Sequence, residues 1–100
     1  MSELEIIFTA RLWIYHGKGA WFFITLPKEE SAQIKFFNNQ RQRGWGAVRV
    51  DAQIGQTTWK TSVFPDTKAG AYLLPVKAAV RKKEKITAGD TVKVALKVFA

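Results

Sequence analysis

The sequence predicts a mainly β domain with two short helices, a barrel of about six strands built from two similar ββαβ halves. Three observations predict it. Apolar and polar residues alternate with period two in several segments, the mark of a strand with one buried face. Leu26-Pro27 and Leu74-Pro75 each close a strand and lead into a helical stretch. Each half then passes through a glycine turn into another alternating strand. A unit of this size cannot bury a core alone, whereas two can bury their faces against each other about a pseudo-two-fold axis. Curling the strands into a barrel also removes exposed edges.

The first strand spans Glu5 to Tyr15, with Ile6, Phe8, Ala10, Leu12 and Ile14 on one face and Glu5, Thr9 and Arg11 on the other. His16-Gly17-Lys18-Gly19 is a turn, because its two glycines can take positive φ. Ala20 to Leu26 is a second strand, rich in aromatic and branched residues. Pro27 stops it and suits the first turn of a helix, and Glu29 and Glu30 complement the positive end of that helix's dipole. Residues 28–39 read as this helix, with Ile34 and Phe37 towards the core. A polar loop follows to Gly46, and Val48, Val50, Ala52 and Ile54 mark a third strand.

Gly55-Gln56 is a two-residue hairpin turn that leads into a fourth strand, Thr57 to Phe64. After the loop 65–70, Ala71 to Leu74 is a short fifth strand. Pro75 is expected to open the second helix, with Val76, Ala79 and Val80 on one face. Ala88-Gly89-Asp90 turns into the last strand, marked by Val92, Val94, Leu96 and Val98. One hundred residues make one domain, residues 1–100, with the internal repeat at 5–54 and 57–99. Fusing the two halves in one chain removes one reason to dimerise, so a monomer is expected, with a dimer as the alternative.

Composition narrows the chemistry. The chain is 47% hydrophobic and has no cysteine, which excludes disulfides, thiolate metal sites and cysteine nucleophiles. The acidic start Met1-Ser2-Glu3-Leu4-Glu5 lacks the order of a signal peptide, and no apolar run reaches membrane-spanning length, so a cytoplasmic, non-membrane protein is expected. The net charge of +8 is shared between the halves. It suits nucleic acid or another polyanion as partner, and it also suits simple solubility.

Two resemblances enter with specific wording. Leu74-Pro75-Val76-Lys77-Ala78-Ala79-Val80-Arg81-Lys82, running into Ile86-Thr87-Ala88-Gly89-Asp90-Thr91-Val92, resembles the strand–Leu-Pro–helix–Gly-Asp–strand pattern of AbrB-type swapped-hairpin proteins. The whole chain resembles more closely the bacterial family known as domain of unknown function 1905. That likeness rests on Arg43-Gly44-Trp45-Gly46 with Val48-Arg49-Val50, on Thr58-Trp59-Lys60-Thr61-Ser62-Val63-Phe64-Pro65, and on Leu74 to Lys82. It implies a double-split β-barrel with helices capping its ends, and it implies no activity.

No catalytic constellation emerges. His16 is the lone histidine and sits in a glycine turn, far short of the three or four convergent ligands a metal needs. Glu29 and Glu30 are explained by the helix dipole, and Asp51, Asp66 and Asp90 by turns. Ser31 and Ser62 lack a nucleophile motif, and Gly44-Trp45-Gly46 lacks the Lys-Ser/Thr ending of a phosphate loop. No metal, cofactor or enzyme activity is implied.

What remains is charge beside aromatics. Lys77, Arg81, Lys82, Lys83 and Lys85 cluster on or just after the second helix, where cations also offset the helix dipole. Arg41, Arg43 and Arg49 surround the glycine loop that holds Trp45. Trp13 is out of phase with Leu12 and Ile14, and Trp59 shares a face with Thr57, Thr61 and Val63. Aromatics beside cations suit single-stranded nucleic acid or a small anionic or aromatic ligand. The candidate binding residues are Arg43, Trp45, Arg49, Trp59, Lys60, Tyr72, Lys77 and Arg81. The leading reading is a non-enzymatic domain that binds an anionic partner. The alternatives are a small-ligand pocket lined by Trp45, Arg49, Trp59, Lys60 and Tyr72, with catalysis as its extension, and an accessory domain with protein partners. Convergence of the basic and aromatic candidates on one concave surface would separate the first two from the third.

Overall fold

The computed structural model describes residues 3–17, 19–39 and 46–99. Among these it shows six strands and two helices: β1 (Glu3–Gly17), β2 (Gly19–Thr25), α1 (Lys28–Asn39), β3 (Val48–Ile54), β4 (Thr57–Asp66), β5 (Ala71–Pro75), α2 (Ala78–Glu84) and β6 (Thr91–Phe99). The strands close an antiparallel barrel in the order β1-β2-β5-β4-β3-β6. None of the described helices is long and apolar enough to cross a membrane.

Two strands pass from one set of partners to another, and this closes the ring. β1 pairs with β6 from Glu3 to Arg11 and with β2 from Leu12 to Gly17. β4 pairs with β3 from Thr57 to Val63 and with β5 from Phe64 to Asp66. The handover in β1 is pinned at Leu12. Its N–H donates to the Asp90 carbonyl at 2.9 Å, and its carbonyl accepts from the Gly89 N–H at 2.8 Å. Gly89 has φ +98, and the Asp90 carboxylate accepts the Thr87 N–H at 2.8 Å, which holds this turn in shape. The Leu12 side chain is fully buried beneath it.

The core follows the period-two pattern. Ile6, Phe8 and Leu12 of β1, all four alternating residues of β3 and the valines and leucine of β6 are buried in one cluster. Ile34 of α1 and Val80 of α2 join it, so both helices bury an apolar residue against the barrel. α1 is fixed further by Ser31. This residue is buried, and its Oγ accepts the Tyr72 N–H at 3.0 Å, tying the helix to β5.

Most expected elements form where the sequence places them, and α2 is the main exception. Pro75 does not open the helix: it is the last residue of β5 and lies opposite Phe23 of β2. Val76 continues the connection, its N–H donating to the Phe22 carbonyl at 2.9 Å. The helix begins only at Ala78, after Lys77 in an extended conformation, and Ala79, expected on the core face, is exposed. A proline φ suits both a strand end and a helix start, so the pairing with β2 decides between them.

Candidate ligand-binding groove

β5 has five residues and β4 has ten, and this difference in length creates the groove. β4 meets β5 only from Phe64 to Asp66. Further back along β4, around Trp59, the neighbour on that side is α2 rather than a strand. A groove of about 330 Å³ opens there between β2, β4 and the start of α2. Trp21 and Phe22 form its β2 wall, Trp59 and Lys60 its β4 wall, and Lys77, just before α2, and Arg81 within it form the third.

Each side chain is placed by its element. Trp59 lies opposite the buried Ala52 of β3, so it points to the inner side of the barrel, packs against the core and is only half-buried. Lys60, one residue on, points outward and forms an ion pair with Asp51 across the strands at 3.2 Å. Arg81 is held most firmly. Its guanidinium sits 3.6 Å from the centroid of the Phe22 ring, and its Nε donates to the Val76 carbonyl at 3.1 Å. A guanidinium seated over an aromatic ring still has N–H donors to offer an anion. No carboxylate is among the described residues of the lining.

The structure sorts the sequence candidates. It brings Trp59, Lys60, Lys77 and Arg81 together in this groove. Arg49 is exposed on β3 opposite Ser62, one row from the Asp51–Lys60 pair and outside the groove lining. Tyr72 is corrected from ligand contact to core: it is 0% exposed and packs in the main cluster. Burial pushes its phenol pKa above the ordinary 10.0, because the charged phenolate would lose its water. Arg41, Arg43 and Trp45 lie outside the described residues.

Sequence reasoning missed Trp21 and Phe22. Ala20 to Ile24 is apolar at every position, so period two gives no phase and cannot say which aromatics face outward. The register supplies the phase. Trp21 lies opposite Tyr15, and Phe23 opposite Trp13, on the outer surface of the β1–β2 hairpin. Trp13 itself points outward, as its phase predicts, and its indole N–H donates to Thr25 Oγ1 at 2.9 Å.

A second hollow, of about 500 Å³, lies over the β1–β6–β3–β4 face. Its charged residues are Glu5, Lys97, Asp51 and Lys60, which stand side by side across four strands and pair with one another. Neutralised in this way, they offer an incoming ion little. The α2 groove has cations without that compensation, Lys60 excepted.

Fold and groove together define a small antiparallel β-barrel with an open cleft lined by cations and aromatics. Over residues 8–96 the sequence matches the family described as Domain of unknown function (DUF1905), and the chain belongs to that family. The match runs from Phe8 in β1 to Leu96 in β6 and so contains both helices and every wall of the groove. No curated protein matches the chain.

Proposed function

We propose that this protein is a non-enzymatic binding domain that holds an anionic partner, nucleic acid foremost, in the groove between β2, β4 and α2. One observation carries the reading: Lys60, Lys77 and Arg81 converge with Trp21, Phe22 and Trp59 on one open cleft with no acid among the described residues that line it. The overall charge of +8 attracts polyanions to the same molecule. The architecture behind it is read as a double-split barrel of two ββαβ halves about a pseudo-two-fold. In support, exchanging β1 with β4, β2 with β5 and β3 with β6 maps the ring of strand pairings onto itself.

A salt titration of oligonucleotide binding tests the function. Affinity should fall linearly in log–log form, with a slope of roughly −2 to −3 for about three neutralised phosphates. Lys77→Ala should make that slope shallower by about one. Absence of binding at low salt, or binding indifferent to salt, would sink the reading for nucleic acid.

A small anionic, aromatic ligand is the second reading. The groove volume of about 330 Å³ favours it, since that lies within the range of small-molecule sites. Melting-temperature shifts with mononucleotides and aromatic carboxylates address it, and a flat response across the set would discard it.

A further inference from the structure

The β1–β2 hairpin carries an aromatic surface that neither the core nor the groove accounts for. Tyr15 and Trp21 lie opposite each other and are 53% and 55% exposed. The next outward pair along the hairpin is Trp13 and Phe23, with ring centroids 5.4 Å apart. Trp21 and Phe23 are nearly parallel, 8° between planes and 6.0 Å between centroids. Rings held parallel at fixed spacing present one plane orientation to anything that stacks on them. Trp21 is also a wall of the groove, so the aromatic surface runs directly into the cluster of Lys60, Lys77 and Arg81.

Charge around the hairpin selects the occupant. From Ile6 to Lys28 the sequence contains no acidic residue. A second copy of this chain would bring its own net charge of +8, which opposes self-association. A partner that is anionic and carries flat, unpaired rings meets both demands, because its phosphates answer the cations and its bases stack on the aromatics. Double-stranded nucleic acid hides its base faces and meets only one of them.

We propose that the outer surface of the β1–β2 hairpin is a base-stacking platform for single-stranded nucleic acid, with Trp21 as the step between stacked bases and the phosphates held at Lys77 and Arg81. This rests on the groove reading above and adds to it the strandedness of the partner and the residues that read its bases.

The test compares an oligothymidylate with an abasic deoxyribose-phosphate strand of equal length, using fluorescence anisotropy and quenching of tryptophan emission. The base-bearing strand should bind about ten-fold more tightly or better, the contribution of one or two stacked bases. Trp21→Ala should bring that ratio close to one, and Trp21→Phe should retain part of it. Lys77→Ala should lower both affinities and keep the ratio. Thermal melts confirm that each variant folds, which is expected because Trp21 is largely exposed. Equal affinity for the two strands, with Lys77→Ala still weakening both, overturns the platform and leaves the groove reading standing. Binding to neither strand overturns both. Binding to anionic phospholipid vesicles but to neither strand assigns the aromatic face to a membrane surface and likewise overturns the proposal.

Discussion

The barrel has two outer faces that share a fold and differ in chemistry. On the β1–β6–β3–β4 face the outward row reads Glu5, Lys97, Asp51, Lys60, each opposite a residue of the other sign. On the β1–β2–β5–β4 face the outward rows of the hairpin read Tyr15 with Trp21 and Trp13 with Phe23. Phe64 of β4 and Leu73 of β5 stand opposite each other further round the same face. Both faces use the same pleat, and β1 and β4 contribute to both. The pleat decides which residues face out, and the residues placed there decide whether a face satisfies itself or waits for a partner. The first face satisfies itself with cross-strand pairs, whereas the second leaves Tyr15 and Trp21 about half exposed, with Trp21 beside Lys77 and Arg81.

The two faces meet at Leu12, so the largest expected effect is there. Leu12→Ala removes a fully buried side chain at the point where β1 changes partners and should cost about 3 kcal/mol. Urea denaturation reads this as a lower midpoint at unchanged slope. A slope change would show instead that the two faces unfold separately.

The next effects come from α2, which joins the faces. Arg81 docks on Phe22 of β2, and Glu84 reaches the β3–β4 turn, accepting from Thr57 Oγ1 at 2.5 Å and the Gln56 N–H at 3.3 Å. Arg81→Ala should cost about 1–2 kcal/mol, from the lost ring contact and the lost bond to the Val76 carbonyl. Glu84→Ala should cost about 1 kcal/mol by releasing the turn. If the double variant loses clearly more or less than the sum of the two, α2 couples the faces; additivity would make them independent.

The smallest effect belongs to the charged row. Lys97→Ala should change stability by less than about 0.5 kcal/mol, because its pair with Glu5, 3.7 Å apart, is exposed to solvent and salt. A larger loss in a thermal melt would mean that the four charges act as a network, which would sharpen the contrast between the faces.

The sequence was most legible where polarity alternates. β3 is found at Val48–Ile54, as Val48, Val50, Ala52 and Ile54 mark it, and α1 spans Lys28–Asn39 behind Pro27, as expected. It was least legible where every position is apolar. Ala71 to Leu74 gives no phase, so Tyr72 could be taken for a pocket residue although it points inward with Leu74. Trp21 was hidden for the same reason, whereas Trp13, flanked by Leu12 and Ile14, had a phase to read. The groove itself was beyond local reading, because it depends on β5 being shorter than β4, a relation between segments that meet only in the folded barrel. Of the candidates placed there, Lys77 and Arg81 were singled out by the charge cluster around the second helix, and Trp59 by an aromatic ring beside a cation, Lys60.

The closed strand order carries a consequence for how this molecule can associate. Each described strand has a neighbour on both sides. Recognition by adding a strand to a sheet margin, the route of many peptide-binding domains and of fibril growth, therefore meets no strand that is free along a whole edge, only stretches where the pairing lapses, such as β4 around Trp59. An assembly built through side chains can instead be retuned by surface substitutions that leave the backbone hydrogen bonding of the barrel intact.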